Sequence, residues 1–402
     1  MSATASPANP MVEPTNTTAL LPIMVAVLIS FLVIGMALPV LPLHVHQGLG
    51  LSAFMVGLIS GSQFLAAVLS RVWAGRFADH RGGKRAVIGG LLTAIAGGSL
   101  YLASLRSLDM PALSAMILLV GRMLVGVGES FIITGGISWG FALLGPAKAG
   151  RVIAWVGMAM FAAFAIGAPV GTMLYDVGGF AAISWATVLF PVAALALVAP
   201  LASIQPQTAA RPSLLKVVGA VWMPGLGAAC ASIGLGTMIS FSPLLLSERQ
   251  WGPAWLLFSA FAVALVVARL FLGHLPDKLG GARVALVSIV IEAGGLALVW
   301  LAPSQGFAVA GAVLTGLGFA LVYPALGVEA VRRTPAQSRG LAMGAYTAFL
   351  DVALGFGSPA LGLVAAWRGV PSVFLAGALI VLAATVIAGW LLRPSAQAGQ
   401  DA

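Results

Sequence analysis

Charged side chains are scarce in this chain. Only 8% of its 402 residues are Asp, Glu, Lys or Arg, whereas 60% are hydrophobic. A soluble domain of ordinary composition is about one quarter charged. So few charges cannot cover a water-facing surface, and the composition therefore excludes an ordinary soluble domain and indicates that lipid is the solvent.

Cysteine is almost absent as well, since Cys230 is the single example. One cysteine excludes a disulfide framework and a cysteine-based metal site. Lysine and arginine are also missing from residues 1–18, which therefore lack the basic start of a cleaved signal peptide. We expect the first apolar segment to remain as a membrane span.

Apolar segments long enough to cross a bilayer make up most of the chain. A spanning helix needs roughly 20 residues, and it satisfies its own backbone hydrogen bonds in lipid. The predicted spans are 20–43, 53–74, 86–105, 111–143, 152–175, 180–200, 217–242, 253–272, 284–302, 306–330, 340–366 and 371–392. We therefore predict an all-α integral membrane protein with twelve transmembrane helices.

The chain contains the same charged loop twice. A shift of 198 residues superimposes Arg71–Arg85 on Arg269–Arg283, with Arg, Gly and Asp residues at matching positions. A shift of 190 residues superimposes later glycines, including Gly126 on Gly316. We predict two parallel six-helix halves, the architecture of a transporter. The predicted divisions are a disordered tail at 1–18, halves at 19–200 and 217–392, a linker at 201–216, and a tail at 393–402.

The positions of lysine and arginine predict the orientation. Placing the linker and both charged loops on one side collects fourteen of the 20 basic residues there and leaves Arg106, Arg249 and Arg368 on the other. The positive-inside rule then predicts a multi-pass membrane protein with both termini in the cytoplasm. Although the net charge is +9, the basic residues form no single patch, which argues against a nucleic-acid partner.

The charged loop resembles the major facilitator superfamily signature G-x-x-x-D-x-x-G-R-R, found between the second and third helices. Its residues here are Gly75, Asp79, Gly82, Gly83, Lys84 and Arg85, with one extra glycine before the basic pair. The degenerate second copy contains Gly273, Asp277 and Arg283. Arg122, Gly126 and Gly128 are similar to the signature R-x-x-x-G-x-G of the fourth helix. The resemblance covers residues 20–392 and implies alternating access by a monomer.

The fifth predicted helix is loosely similar to the exporter signature of this superfamily. The matching residues are Gly157, Gly167, Pro169 and Gly171. Their sequence pattern is similar to that of the YhhS-like or arabinose-efflux-like bacterial branch, which implies a location in the bacterial inner membrane. The resemblance also implies that Asp79 holds the halves together on the cytoplasmic side, against the start of the eleventh helix near Ser338. The positive end of a helix dipole would stabilise such a carboxylate.

Arg122 and Glu129 are the first candidates for function. Both lie within an apolar predicted helix, where a charge is costly and is usually functional. Seven residues separate them, so they share a face but lie roughly 10 Å apart along the axis. Water or substrate could occupy that gap. Glu129 could bind a proton under the influence of Arg122, although a structural pair that anchors the helix is the alternative.

Asp351 lies near the middle of the eleventh predicted helix, which the resemblance places beside the central cavity. It is the second candidate for protonation, or a partner for a cationic substrate. Glu292 is expected to face a neighbouring helix as a neutral acid. Glu329 and Arg333 are spaced for an i,i+4 ion pair. Gln63, Tyr323 and Tyr346 could line the cavity, although each could equally be a helix-packing group.

The motifs point to transport rather than catalysis. The sequence contains no nucleophile elbow, HExxH motif or Walker motif. We therefore expect a secondary transporter that is not an enzyme, binds no metal or cofactor, and uses the proton gradient. The preferred hypothesis is export, by proton antiport, of a small organic molecule such as a drug, sugar or metabolite. Uptake by proton symport is the alternative, and a membrane receptor or channel is the alternative from another class.

Overall fold

The computed structural model describes residues 20–144, 149–203, 214–334 and 339–392. Both predicted tails, most of the predicted linker and the loop before the eleventh span lie outside these ranges. The helices are α1 Leu21–Leu43, α2 Ala53–Arg81, α3 Gly83–Ser104, α4 Pro111–Leu144, α5 Ala149–Val198, α6 Leu214–Arg249, α7 Leu256–Leu272, α8 Leu275–Leu279, α9 Gly281–Leu301, α10 Gln305–Arg332, α11 Arg339–Arg368 and α12 Pro371–Leu391. A π-helical turn, His44–Gly48, extends α1.

The twelve predicted spans are present in these helices. Within the described residues, ten helices are long and apolar enough to cross a membrane, and α7 is a shorter apolar helix. The long helix α5 contains two spans, because the backbone leaves helical geometry at Gly178 and Gly179. Gly179 has a φ of 60°, a left-handed conformation that glycine adopts without strain. The sixth span ends at Val198, and α6 begins within the predicted linker.

A proline explains why the second half carries a shorter helix where the first half has α2. Helices α7 and α8 together end at Leu279, the position that the 198-residue shift assigns to Arg81. Pro276 lies in the first turn of α8, where its missing N–H is tolerated, whereas inside a continuous helix it would break the hydrogen-bond ladder. Helix α7 therefore ends at Leu272, and a new helix begins at Leu275.

Glycine contacts show that the two halves share one packing scheme. In the first half, Gly126 of α4 packs against the backbone of Gln63 in α2. In the second half, Gly316 of α10 packs against the backbone of Phe261 in α7. Both residues of the first contact map onto the second by the shifts of 190 and 198 residues. The sequence repeat is therefore also a repeat of helix crossings, with α3 and α4 corresponding to α9 and α10.

We expect alanine at Gly126 to destabilise the protein by about 1–3 kcal/mol, the usual cost of overpacking. A Cβ atom there would overlap the carbonyl group of Gln63, which is backbone and cannot rotate away. Thermal unfolding of the purified protein in detergent measures the effect. Gly294→Ala is the matched control, because a Cβ atom at Gly294 meets open space. Equal unfolding temperatures for the two variants would contradict the packing argument.

The charged loops use their paired glycines for two different purposes. Gly82 and Gly280 have φ values of 90° and 91°, so each allows a reversal that a side chain would strain. Gly83 packs on Gly135 and Trp139 of α4. Lys84 donates hydrogen bonds to the carbonyls of Ala199, at 2.7 Å, and Leu201, at 2.5 Å. This basic residue therefore holds the end of α5, where a cation complements the helix dipole.

Glu329 makes a different contact from the one its spacing predicts. Its carboxylate accepts a hydrogen bond from the backbone N–H of Ala282, at 3.2 Å, in the first turn of α9. The nearby cation is Arg332, at 3.5 Å, while Arg333 lies over the ring of Trp390. The predicted Glu329–Arg333 pair is wrong, because the carboxylate turns towards the unsatisfied N–H groups that begin α9.

The two halves meet along α2 and α11, α5 and α7, and α1 and α6. Small residues allow close approach: Gly57 of α2 packs on the carbonyl of Ser358, and Gly61 packs on that of Gly355. Gln47 donates to Ser247 Oγ, at 2.6 Å, near the ends of α1 and α6. Further along α2, towards Arg81, the glycine contacts give way to charged side chains.

Candidate functional site

An ion pair joins the two halves beyond the glycine contacts, on the side of α2 that leads to Arg81. Arg71 Nη2 of α2 lies 2.5 Å from Asp351 Oδ2 of α11. The two side chains are only 19% and 6% exposed, so little water screens their attraction. Two charges buried together gain from pairing, whereas either one alone would be strongly destabilising. Asp351 therefore pairs with a cation of the protein itself. Its predicted roles, as a site of protonation or as a partner for a cationic substrate, stay predictions.

A second buried contact lies within the first half. Gln63 Nε2 of α2 donates a hydrogen bond to Glu129 Oε2 of α4, at 2.7 Å, and both side chains are buried. Glu129 also lies within electrostatic range of Asp351, Arg71 and Arg122. Gln63, Arg71, Arg122, Glu129 and Asp351 are called the central polar cluster below. The predicted candidates Gln63, Glu129 and Asp351 are thus brought together around the interface.

Arg122 turns away from Glu129 towards α3. Its Nη1 donates to the hydroxyl of Tyr101, at 3.4 Å, and the side chain is 1% exposed. Within the described residues, its other guanidinium nitrogens, Nε and Nη2, have no hydrogen-bond partner. The hydrogen bond of Arg122 is thus made to α3, and its predicted influence on Glu129 stays a prediction.

Tyr323 and Tyr346 form a separate linkage between α10 and α11. The Tyr323 hydroxyl shares a hydrogen bond with Thr347 Oγ1, at 2.7 Å. The Tyr346 hydroxyl donates to the carbonyl oxygen of Tyr323, also at 2.7 Å. Tyr323 lies within electrostatic range of Arg71 and Asp351, whereas Tyr346 is buried between the helices. Both tyrosines act in helix packing, and Tyr323 also borders the central polar cluster.

The two halves carry different residue types at the central polar cluster. The residues that correspond to Gln63 and Glu129 are Phe261 and Phe319, whose rings pack with centroids 6.1 Å apart. One half therefore places a carboxyl group at this crossing, and the other half fills the same place with an apolar pair. Glu292 is buried elsewhere, against Gly234 of α6, which agrees with its predicted position facing a neighbouring helix.

Arg71 and Arg269 were not among the predicted functional residues, although the sequence carries a signal for them. Each begins one of the charged loops, but each also lies inside a predicted span, 53–74 or 253–272. They occupy equivalent positions in the two halves. A charge repeated at the same depth within both halves is a sign of function. Both residues are partly buried.

The remaining motif residues have distinct surroundings. Gly167 and Gly171 pack against the backbone of α1 at Gly35 and Met36, so they allow α1 and α5 to approach, and Pro169 lies between them. Asp79 lies in the last turns of α2, but residues 335–338, which precede α11, lie outside the described residues. Its contact with that segment stays a prediction. Among the described residues, no group of three or more His, Cys, Asp or Glu could hold a metal ion.

The sequence comparisons identify close relatives in bacteria. The chain is 43% identical over 368 residues to the uncharacterized MFS-type transporter STM4428 of Salmonella typhimurium, covering 92% of this chain and 95% of that protein. It is 37% identical over 364 residues to the uncharacterized MFS-type transporter YhhS of Escherichia coli K12, covering 90% of each.

Solved structures show the same fold at low sequence identity. The D-xylose-proton symporter aligns with a TM-score of 0.75 at 14% identity, over 92% of this chain and 97% of that one. The nucleoside transporter NupG aligns with a TM-score of 0.74 at 14% identity, over 93% and 100% of the chains. The family model of the Major Facilitator Superfamily matches residues 23–257 and 225–401. The chain is a multi-pass membrane transporter that belongs to the Major Facilitator Superfamily.

Proposed function

We propose that this transporter exports a small organic molecule, such as a drug, sugar or metabolite, in exchange for protons. The observation that carries the proposal is the Arg71–Asp351 ion pair, which crosses the interface beside the Gln63–Glu129 contact. Alternating access requires the halves to separate on one side at a time, and an ion pair across the interface opposes that separation. A proton on Asp351 would cancel its charge and weaken the pair.

Glu129 supplies the second carboxyl group of the mechanism. As a carboxylate it accepts hydrogen bonds, from Gln63 or from donor groups of a substrate. As a carboxylic acid it loses part of that accepting capacity. Proton and substrate then compete for the same atoms, and such competition produces exchange. Arg122 adjusts this competition electrostatically. The similarity of Gly157, Gly167, Pro169 and Gly171 to an exporter signature supports the outward direction.

Proton-coupled uptake is the second candidate, and the same ion pair favours it. When a proton binds Asp351, Arg71 loses its carboxylate partner and can bind an anionic substrate instead. Proton and substrate would then bind together, which produces symport. In either case we propose that the protein works as a monomer in the inner membrane, with both termini in the cytoplasm and Asp79 stabilising the closed cytoplasmic side.

A screen of cells distinguishes the two directions. Cells that overproduce the transporter are compared with cells that overproduce Arg122→Ala, against a panel of metabolites and toxicants. We expect lower internal accumulation of at least one compound, with the difference lost when the proton gradient is collapsed. Higher accumulation that needs the gradient would establish uptake and overturn export. A difference that ignores the gradient would overturn proton coupling.

A further inference from the structure

Helix α10 contains a proline, which leaves one carbonyl group of the helix without its usual N–H donor. Pro324 lies inside α10 and has no N–H group. In a continuous helix, the residue at that position would donate to the carbonyl of Ala320, four residues earlier. Inside a membrane protein, a carbonyl without a donor is costly unless another group reaches it.

Arg269 reaches that carbonyl from a different helix. Its Nε on α7 donates a hydrogen bond to Ala320 O, at 3.3 Å. Several other helices contain internal prolines, including α1, α5, α6 and α11. Within the described residues, Ala320 is the one carbonyl released by such a proline for which a side-chain donor is seen. Arg269 therefore supplies the hydrogen bond that Pro324 cannot.

The repeat shows how the surroundings of the two equivalent arginines differ. The 190-residue shift places Pro324 on Thr134 of α4, and threonine keeps its N–H group. The carbonyl that corresponds to Ala320 O, on Ser130, therefore retains its helical donor and needs no arginine. Arg71, the counterpart of Arg269, extends across the interface to Asp351 instead. The proline thus gives Arg269 an acceptor within its own half, whereas the carboxylate that Arg71 binds lies in the other half.

Pro324 lies beside residues of α10 that approach the ion pair. Tyr323 directly precedes Pro324, and its hydroxyl and carbonyl both bond to α11, through Thr347 and Tyr346. Thr347 lies one helical turn from Asp351. We propose that Arg269 is a positioning residue: it secures the turn of α10 that lacks the Pro324 N–H, so that Tyr323 holds α11, and hence Asp351, against Arg71. The transport consequence rests on the proposed function, but the pairing with Pro324 does not.

A double-mutant cycle tests this pairing. The variants are Arg269→Met, Arg269→Lys, Pro324→Ala, and Pro324→Ala combined with Arg269→Met. Alanine at 324 supplies the missing N–H, so the arginine should become dispensable. We expect Arg269→Met to lower the unfolding temperature in detergent by about 4 °C in the native background, and by less than about 1 °C in the Pro324→Ala background. Pro191→Ala, at a proline in the other half, is the control background and should leave the full loss.

Transport of the compound found by the cell screen gives the second readout. We expect Arg269→Met to slow transport by roughly tenfold, and the double variant to recover to within roughly threefold of Pro324→Ala. Arg269→Lys keeps a donor and should remain within roughly threefold of the native protein. Equal losses in both backgrounds would overturn the pairing, whatever the transport result. If Pro324→Ala folds poorly, equal damage by Lys and Met at 269 would also overturn it.

Discussion

In liposomes, Glu129→Gln protein is expected to lose proton-driven accumulation of its substrate while still exchanging labelled for unlabelled substrate across the membrane. Glutamine cannot bind and release a proton, but it keeps the size of glutamate and a hydrogen-bonding group beside Gln63. For one proton exchanged per substrate, each pH unit across the membrane supports about a tenfold concentration ratio in the native protein. The variant should reach a ratio near one. The measurement is substrate accumulation at imposed pH differences.

Glu292→Gln is the matched control for this experiment. Glu292 is also a buried glutamate within a span, but it lies against Gly234 of α6 rather than in the central polar cluster. Its replacement should leave the accumulation ratio within about twofold of the native value, as for a residue outside the interacting group. Full accumulation by Glu129→Gln would show that Glu129 is not the proton site. Loss of accumulation in both variants would show that accumulation depends on buried carboxyl groups in general and not on the central polar cluster.

Arg71→Met is expected to destabilise the protein by about 3–5 kcal/mol, because it leaves the Asp351 carboxylate buried without its cation. The double variant Arg71→Met with Asp351→Asn should recover most of that loss, since no unpaired charge remains. Methionine retains much of the apolar volume of the arginine stem, so the comparison isolates the charge. Thermal unfolding in detergent of both variants and of Asp351→Asn gives the interaction energy.

The pair of Arg332 and Glu329, in which the arginine is exposed, supplies the control for this second prediction. Arg332 is 56% exposed at a distance of 3.5 Å from Glu329, and such pairs contribute no more than about 1 kcal/mol. Arg332→Met should therefore cost far less than Arg71→Met. Additive losses for Arg71→Met and Asp351→Asn would contradict a direct pair across the interface. The proposed weakening of that pair by a proton would then lose its structural basis.

Much of the architecture could be predicted because the membrane imposes local rules. Each span must be apolar, long enough and helical, and these properties are visible one segment at a time. The repeat was visible because glycines and charges recur at a constant shift, and contacts such as Gly126 on Gln63 and Gly316 on Phe261 confirm it. Arg122, Glu129 and Asp351 stood out because an ionisable side chain within a span is costly.

The partners of these side chains depended on tertiary packing. Gln63 and Glu129 are 66 residues apart, and nothing local to either residue indicates the other. Arg71 was assigned to the charged loop until the contact between α2 and α11 placed it beside Asp351. Glu329 turned to α9 rather than to Arg333, because the helix start offered N–H groups that spacing along α10 could not reveal.

By itself, the sequence determined that this is a membrane protein of twelve spans and two related halves with a few charges inside. Those features follow from composition and periodicity, which each span carries alone. Only the tertiary structure decided that Arg71 joins the halves while Arg269 bonds to a carbonyl group of its own half. The physical reason is that a buried charge must find a partner, and the available partners depend on which helices meet and on the single N–H group that Pro324 lacks.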